Sequence, residues 1–208
     1  MRAKCLNGES VGQMRKSYAA GETISHEGGA AAVLFYVERG KVAVTAIFPD
    51  GNAAAIGVRG PGDFFGLRSL LDSGSHRPSG IALTDCIVVQ LEKPEVARLL
   101  RDRQDFGRIF IDYLLRQHLR DLKRIINQSC PAEERLRQTL LEIADLRVSG
   151  KAEALKITQT MLANLVGTTR SRISLFMNNL RRQGLIEYNR AGMLIVRSTL
   201  RQVLQGQE

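Results

Sequence analysis

Within residues 158–184, TQTMLANLVGTTRSRISLFMNNLRRQG, the polar side chains with chemistry to offer fall on one side of a helical repeat. Ser171, Ser174, Leu175, Asn178 and Arg182 share a face, and Arg170 and Arg172 flank it. Arginine presents paired N–H donors that match a guanine edge. Serine, threonine and asparagine bond phosphate oxygens or base edges, and a leucine isolated among them suits a thymine methyl group. No nucleophile–base pair or carboxylate pair accompanies them, so the chemistry implied is contact with nucleic acid rather than bond making.

Two helices must hold that face outward. Thr158 is an N-cap, and Met161, Leu162, Leu165 and Val166 then form one apolar helical side. Ala163 suits a close helix approach, and Gly167 supplies the left-handed residue that ends the first helix. Thr168 and Thr169 can cap the second, whose Ile173, Phe176, Met177 and Leu180 recur at i, i+3, i+4 and i+7. A plain helical hairpin with a wet outer face would also satisfy this pattern. Charge separates the two readings: residues 156–201 hold eight Lys/Arg and a single acid, Glu187. So cationic a segment implies a polyanionic partner.

The net charge of +9 is carried unevenly. Residues 1–92 are neutral, with nine basic and nine acidic side chains, whereas 93–130 carry +4 and 131–208 carry +5. A neutral front and a basic back imply a sensor or scaffold joined to a nucleic-acid-binding part. No stretch has the length of an apolar membrane span, and the N-terminus lacks a secretory pattern, so a cytoplasmic protein without membrane association is expected. Cys5, Cys86 and Cys130 form no CxxC, and His26, His76 and His118 are scattered, which argues against a disulfide framework or a clustered metal site. No metal and no cofactor is expected.

Short β-branched runs at 23–24, 33–38, 41–48, 53–58, 79–82 and 87–91 are separated by Gly-, Pro- and Asn-rich turns, the pattern of an antiparallel sandwich or barrel. Residues 1–12 read as a loose lead-in. Pro94 opens a helical regime: a short helix over 95–100, then a long one over 104–128. The long helix is a candidate dimer seam through Phe106, Phe110, Tyr113 and Leu114. The alternative is a helix packed back on its own domain. Pro131 starts a further helix over 132–146, and 148–155 reads as a polar connector. Beyond Gly184, 185–188 and 193–197 form a β-hairpin wing around Asn189–Gly192.

This order resembles the Crp/Fnr family, that of the cyclic-AMP receptor protein and the fumarate–nitrate regulator. The likeness runs from about residue 18 onward. Its sharpest piece is 166–186, VGTTRSRISLFMNNLRRQGLI, which is similar to the family's recognition-helix segment. The stretch 60–66, GPGDFFG, is similar to the barrel segment entering the family's effector pocket. The resemblance implies an α+β chain with an N-terminal antiparallel jelly-roll barrel (1–103), a dimerisation helix (104–130) and a C-terminal winged helix–turn–helix (131–208). It also implies a homodimer on near-palindromic double-stranded DNA, and RNA polymerase as a partner.

Matched by position, the base-reading sites are Arg170, Ser171, Arg172 and Leu175, with Thr158, Gln159, Thr168, Thr169 and Ser174 as phosphate contacts. Arg181, Arg182 and Arg190 are secondary candidates. Ser171 replaces the Glu that many members carry, so their half-site preference does not transfer. The effector pocket matches Gly66, Arg68, Ser69, Arg77 and Ser79. There Leu67 stands where cyclic-nucleotide binders have a ribose-holding Glu, and Pro78 where they have Ser or Thr. A regulator without high-affinity cyclic AMP control is therefore expected, its effector an unidentified small molecule. The alternatives are a cyclic-nucleotide response through a variant pocket, a constitutive DNA-binding protein, and a cupin-like barrel enzyme with a DNA-binding tail. An N-terminal iron–sulfur sensor needs more cysteines than Cys5 alone.

Overall fold

The computed structural model describes residues 13–24, 32–47, 53–71, 79–145, 154–189, 191–197 and 199–200. Cys5, His26, His76, Arg77, Pro78 and Arg190 lie outside them.

Two four-stranded antiparallel sheets form the N-terminal half. One has the order β1 (Gln13–Tyr18), β8 (Cys86–Glu92), β3 (Val33–Arg39), β6 (Phe64–Phe65). The other runs β2 (Thr23–Ile24), β7 (Ser79–Ala82), β4 (Val42–Ile47), β5 (Ala53–Arg59). Val33, Phe35, Val37, Val42, Phe65 and Val88 meet between the sheets. Strand β3 is apolar without alternation because both of its faces are covered. Leu34 and Tyr36 point away from the sandwich and join Phe64, Val89 and Leu91 beneath two helices, α1 (Lys93–Asp102) and α2 (Gln104–Asn127).

Of the four residues that the sequence places in a dimer seam, three pack against the chain's own barrel. Phe106, Phe110 and Tyr113 are buried, and each ring meets Phe64 edge-on, with centroids 6.1, 5.3 and 5.2 Å away. The Tyr113 hydroxyl also donates to the Phe64 carbonyl at 2.5 Å. Three aromatics at i, i+4 and i+7 therefore bind the helix to its own barrel, and of the four named residues Leu114 alone is solvent-facing. The exposed apolar stripe lies opposite and further along: Ile111, Leu115, Leu119, Leu122 and Ile126, each at least 42 % exposed. A helix this apolar has two hydrophobic faces, and spacing alone does not say which one the barrel covers.

The C-terminal half comprises α3 (Ala132–Asp145), β9 (Leu155–Lys156), α4 (Gln159–Val166), α5 (Arg170–Arg182), β10 (Ile186–Tyr188) and β11 (Met193–Val196). Leu136, Leu140, Leu162, Ile173, Met177 and Leu180 fill its core. Strand β9, at the end of what reads as a polar connector, pairs with β11 and makes the wing three-stranded. The core continues into the barrel through Ala43, Val58 and Leu83, and the Lys156 backbone N–H donates to the Leu83 carbonyl at 2.7 Å. Strand β1 is the other element the sequence conceals. Its residues QMRKSY are mostly polar, and its place follows from full pairing with β8.

Candidate nucleic-acid interface

Local chemistry builds α4 and α5 as the sequence dictates. The Thr158 hydroxyl accepts from the Met161 N–H at 3.1 Å and the Thr169 hydroxyl from the Arg172 N–H at 3.4 Å, so each helix begins on a threonine cap. Gly167 closes α4 at φ +70, which an L side chain adopts only with strain. Its N–H and that of Thr168 return to Asn164 and Ala163. The first turn of α5 has no acid, and its N-terminal dipole end therefore adds to the positive field.

On α5, Ile173, Met177 and Leu180 are buried, while Arg170, Ser171, Arg172, Leu175 and Asn178 are exposed and Ser174 half-buried. Leu175, at 59 % exposure, has the same apolar isolation in space as in sequence. A groove of about 770 Å³ runs between α5, the start of α4 and the wing, and it gathers Thr158, Gln159, Arg170 and Ser174. Asn178, on the face the sequence singled out, is a further wall, and Tyr188 and Asn189 are walls to which the sequence assigned no contact. Tyr188 lies near Arg170 and the Gln159 backbone N–H, and burial pushes its phenol upward against both of them. Its strand position next to a turn was the available signal. Thr168 departs from the set. It lines a separate cleft, between the barrel and the C-terminal half, with Arg124 and Arg135.

Arg135 sits behind the helix–turn–helix and holds it. Its guanidinium donates to the carbonyls of Val166 (2.9 Å) and Gly167 (3.1 Å) at the end of α4, and to those of Gln128 (3.3 Å) and Cys130 (2.7 Å) just past α2. Helix C-termini leave such carbonyls without intrahelical donors, so one cation satisfies two helix ends at once.

The residues aligned with an effector pocket diverge. Gly66, at φ +86, starts a short 3-10 helix, Leu67–Leu70. The Ser69 hydroxyl lies 2.7 Å from the carbonyls of both Val33 and Gly66, so its proton is committed to backbone. Leu67 packs on the Phe64–Phe106 cluster, and Arg68 is exposed. Ser79 opens β7, and Arg77 is outside the described residues. Among the described residues no His, Cys, Asp and Glu cluster could hold a metal.

Comparison with known proteins matches residues 15–103 to the cyclic nucleotide-binding domain and residues 134–202 to the Crp-like helix-turn-helix domain. The chain is 29% identical to the cyclic AMP receptor protein of Thermus thermophilus over 174 residues, 83% of this chain and 79% of that one. It is 25% identical over 185 residues to the CRP-like cAMP-activated global transcriptional regulator of Mycobacterium tuberculosis, covering 86% and 82%. A crystal structure of a CRP-family transcriptional regulator from Thermus thermophilus superposes with a TM-score of 0.69 at 25% identity, over 90% of this chain and 95% of that one.

Proposed function

Because this chain belongs to the Crp/Fnr family of transcription regulators, we propose that it is a homodimeric, sequence-specific DNA-binding protein working without catalysis in the cytoplasm. The observation that carries the reading is the exposed face of α5: Arg170, Ser171, Arg172 and Leu175, on a threonine-capped helix whose first turn has no acid. In the proposed mechanism those four residues read base edges in the major groove. Thr158, Gln159, Thr169 and Ser174 hold phosphates, as does Thr168 at the turn. RNA polymerase is the partner that family membership suggests.

The dimer would form through the apolar stripe of α2 from Ile111 to Ile126, which no other described element covers. Such a seam, supercoiled with its copy, would place two recognition helices on half-sites about one helical turn apart. We divide the chain accordingly into a regulatory barrel (1–103), a dimerisation helix (104–130) and a DNA-binding domain (131–208).

Named relatives respond to cyclic AMP. Here Leu67, turned onto an apolar cluster, supplies no ribose acceptor, and Ser69 is committed to backbone. A buried hydrogen bond lost to a charged partner weakens binding by about 1.5–3 kcal/mol, so high-affinity cyclic AMP control is not proposed. Fluorescence anisotropy on a site selected in vitro, at one fixed salt concentration, tests both halves. Tight binding, equal with and without cyclic AMP, is expected. A nucleotide-dependent gain would keep the regulator and overturn the reading of the pocket, whereas the absence of sequence-specific binding would overturn the regulator.

A further inference from the structure

Helix α4 is tied at both of its ends to the N-terminal half. At its C-terminal end the Arg135 guanidinium joins the Val166 and Gly167 carbonyls to those of Gln128 and Cys130, just past α2. At its N-terminal end the anchor is the barrel itself. Leu83, directly after β7, is fully buried and packs into the core of the C-terminal half. Its N–H donates to the Lys41 carbonyl at 2.7 Å, and its own carbonyl accepts from the Lys156 N–H at 2.7 Å. Lys156 stands two residues before Thr158, the cap of α4.

The Lys156 side chain turns the same way. Its ammonium donates to the Ala20 carbonyl at 3.3 Å and crosses Gly21 closely, so that a methyl group placed there would lie 2.6 Å from Nζ. The other edge of β9 belongs to the wing: Leu155 and Lys156 pair with Leu194 and Met193, and the Ile157 N–H donates to the Gly192 carbonyl at 2.8 Å. Two residues of strand thus join the barrel, the wing and the start of α4. An eight-residue helix is about 12 Å long, so a swing of α4 about either anchor is opposed by the other. Helix α5 follows α4, because Leu162, Ile173 and Met177 share one core.

We propose that the joint between Leu83 and Lys156 determines which half-site spacing the dimer accepts. This rests on the chain being a dimeric DNA-binding protein, and it assigns a specificity that no base contact supplies. Base-reading side chains define each half-site, whereas spacing depends on how each recognition helix is fixed to the body that carries the dimer seam. Aromatic packing on Phe64 binds the seam helix to the barrel, and Leu83 binds the barrel to the start of α4. Lys156 and Leu83 are therefore positioning residues. One added base pair turns a half-site by about a tenth of a helical turn, which a fixed pair of helices rejects and a hinged pair follows.

Lys156→Pro removes the donor that Leu83 accepts and leaves the Ile157 bond to the wing in place. Lys156→Ala keeps the donor and is the control. Affinity of the full-length proteins is measured at one salt concentration on a duplex of the spacing selected in vitro, on duplexes one base pair shorter and longer, and on a single half-site. Wild type and Lys156→Ala should bind the altered spacings about tenfold or more weakly, and Lys156→Pro less than about threefold more weakly, with equal affinity of all three for the single half-site. Spacing discrimination by Lys156→Pro equal to that of the wild type overturns the proposal. Should Lys156→Pro not fold, or lose the single half-site, the wild type decides through amide exchange of Lys156. That exchange should be slow on the selected duplex and about tenfold faster on the altered ones, since a wrong spacing must open the joint; equal exchange on all of them overturns it. A wild type that binds no DNA sequence specifically would instead refute the regulator.

Discussion

Arg135 donates to the carbonyl of Gly167 at 3.1 Å, and through the same guanidinium to the carbonyl of Gln128 beyond the long helix. The turn of the helix–turn–helix and the end of α2 thus share one cation. A planar fork with several donors joins the two helix ends, and in the proposed dimer their relative pose would bear on DNA reading.

Arg135→Ala should destabilise the protein by about 1–3 kcal/mol, since helix-end carbonyls lose a charged donor. Arg135→Lys should recover only part of this, because a single ammonium cannot reach four carbonyls in a fixed plane. Urea unfolding of the three proteins checks the order wild type, Lys, Ala.

Arg170→Ala should weaken specific DNA binding by about 1–3 kcal/mol and relax selection at one base position. Selecting sites in vitro with the variant reads this directly. An unchanged motif would remove Arg170 from the base-reading set.

A charge should act differently on the two faces of α2. Leu119→Asp, on the exposed stripe, should leave the fold intact and yield monomers with poor affinity for a two-half-site duplex. Phe110→Asp, stacked at 5.9 Å on Phe106 and edge-on to Phe64, should cost about 3 kcal/mol or more of folding stability. Sedimentation and denaturation separate the outcomes; a folded, dimeric Leu119→Asp protein would refute the seam.

Acid stability should depend on Glu95. Arg98 donates to its carboxylate at 2.7 and 2.8 Å, and Gln13 adds a bond of 2.8 Å. The Arg98 bonds chiefly, and Gln13 after them, hold Glu95 below the usual carboxylate range against the opposing push of burial. The unfolded chain therefore takes up this proton first. The stabilisation is fully present above the ordinary Glu value of about 4.3, and is lost as pH falls through the lowered folded value. Glu95→Gln should flatten the fall of the urea midpoint below pH about 4.3. An unchanged acid limb would show that the group contributes nothing.

The sequence by itself determined the parts whose causes are local. Thr158 and Thr169 cap, Gly167 turns, and Ile173, Met177 and Leu180 face inward because capping, left-handed φ and helical period are properties of a few consecutive residues. Most strands were legible in the same way, from β-branched runs between glycine turns. The tertiary structure decided what depends on distant partners. Polar β1 is a strand because β8 pairs with it, and β9 because β11 does. Phe106, Phe110 and Tyr113 face the barrel because Phe64, more than forty positions earlier in the chain, fills the space between them. Arg120 on the long helix likewise meets Asp63, 57 positions earlier, at 2.8 and 3.0 Å. Periodicity shows that a face exists, and only the folded chain supplies the surface it meets.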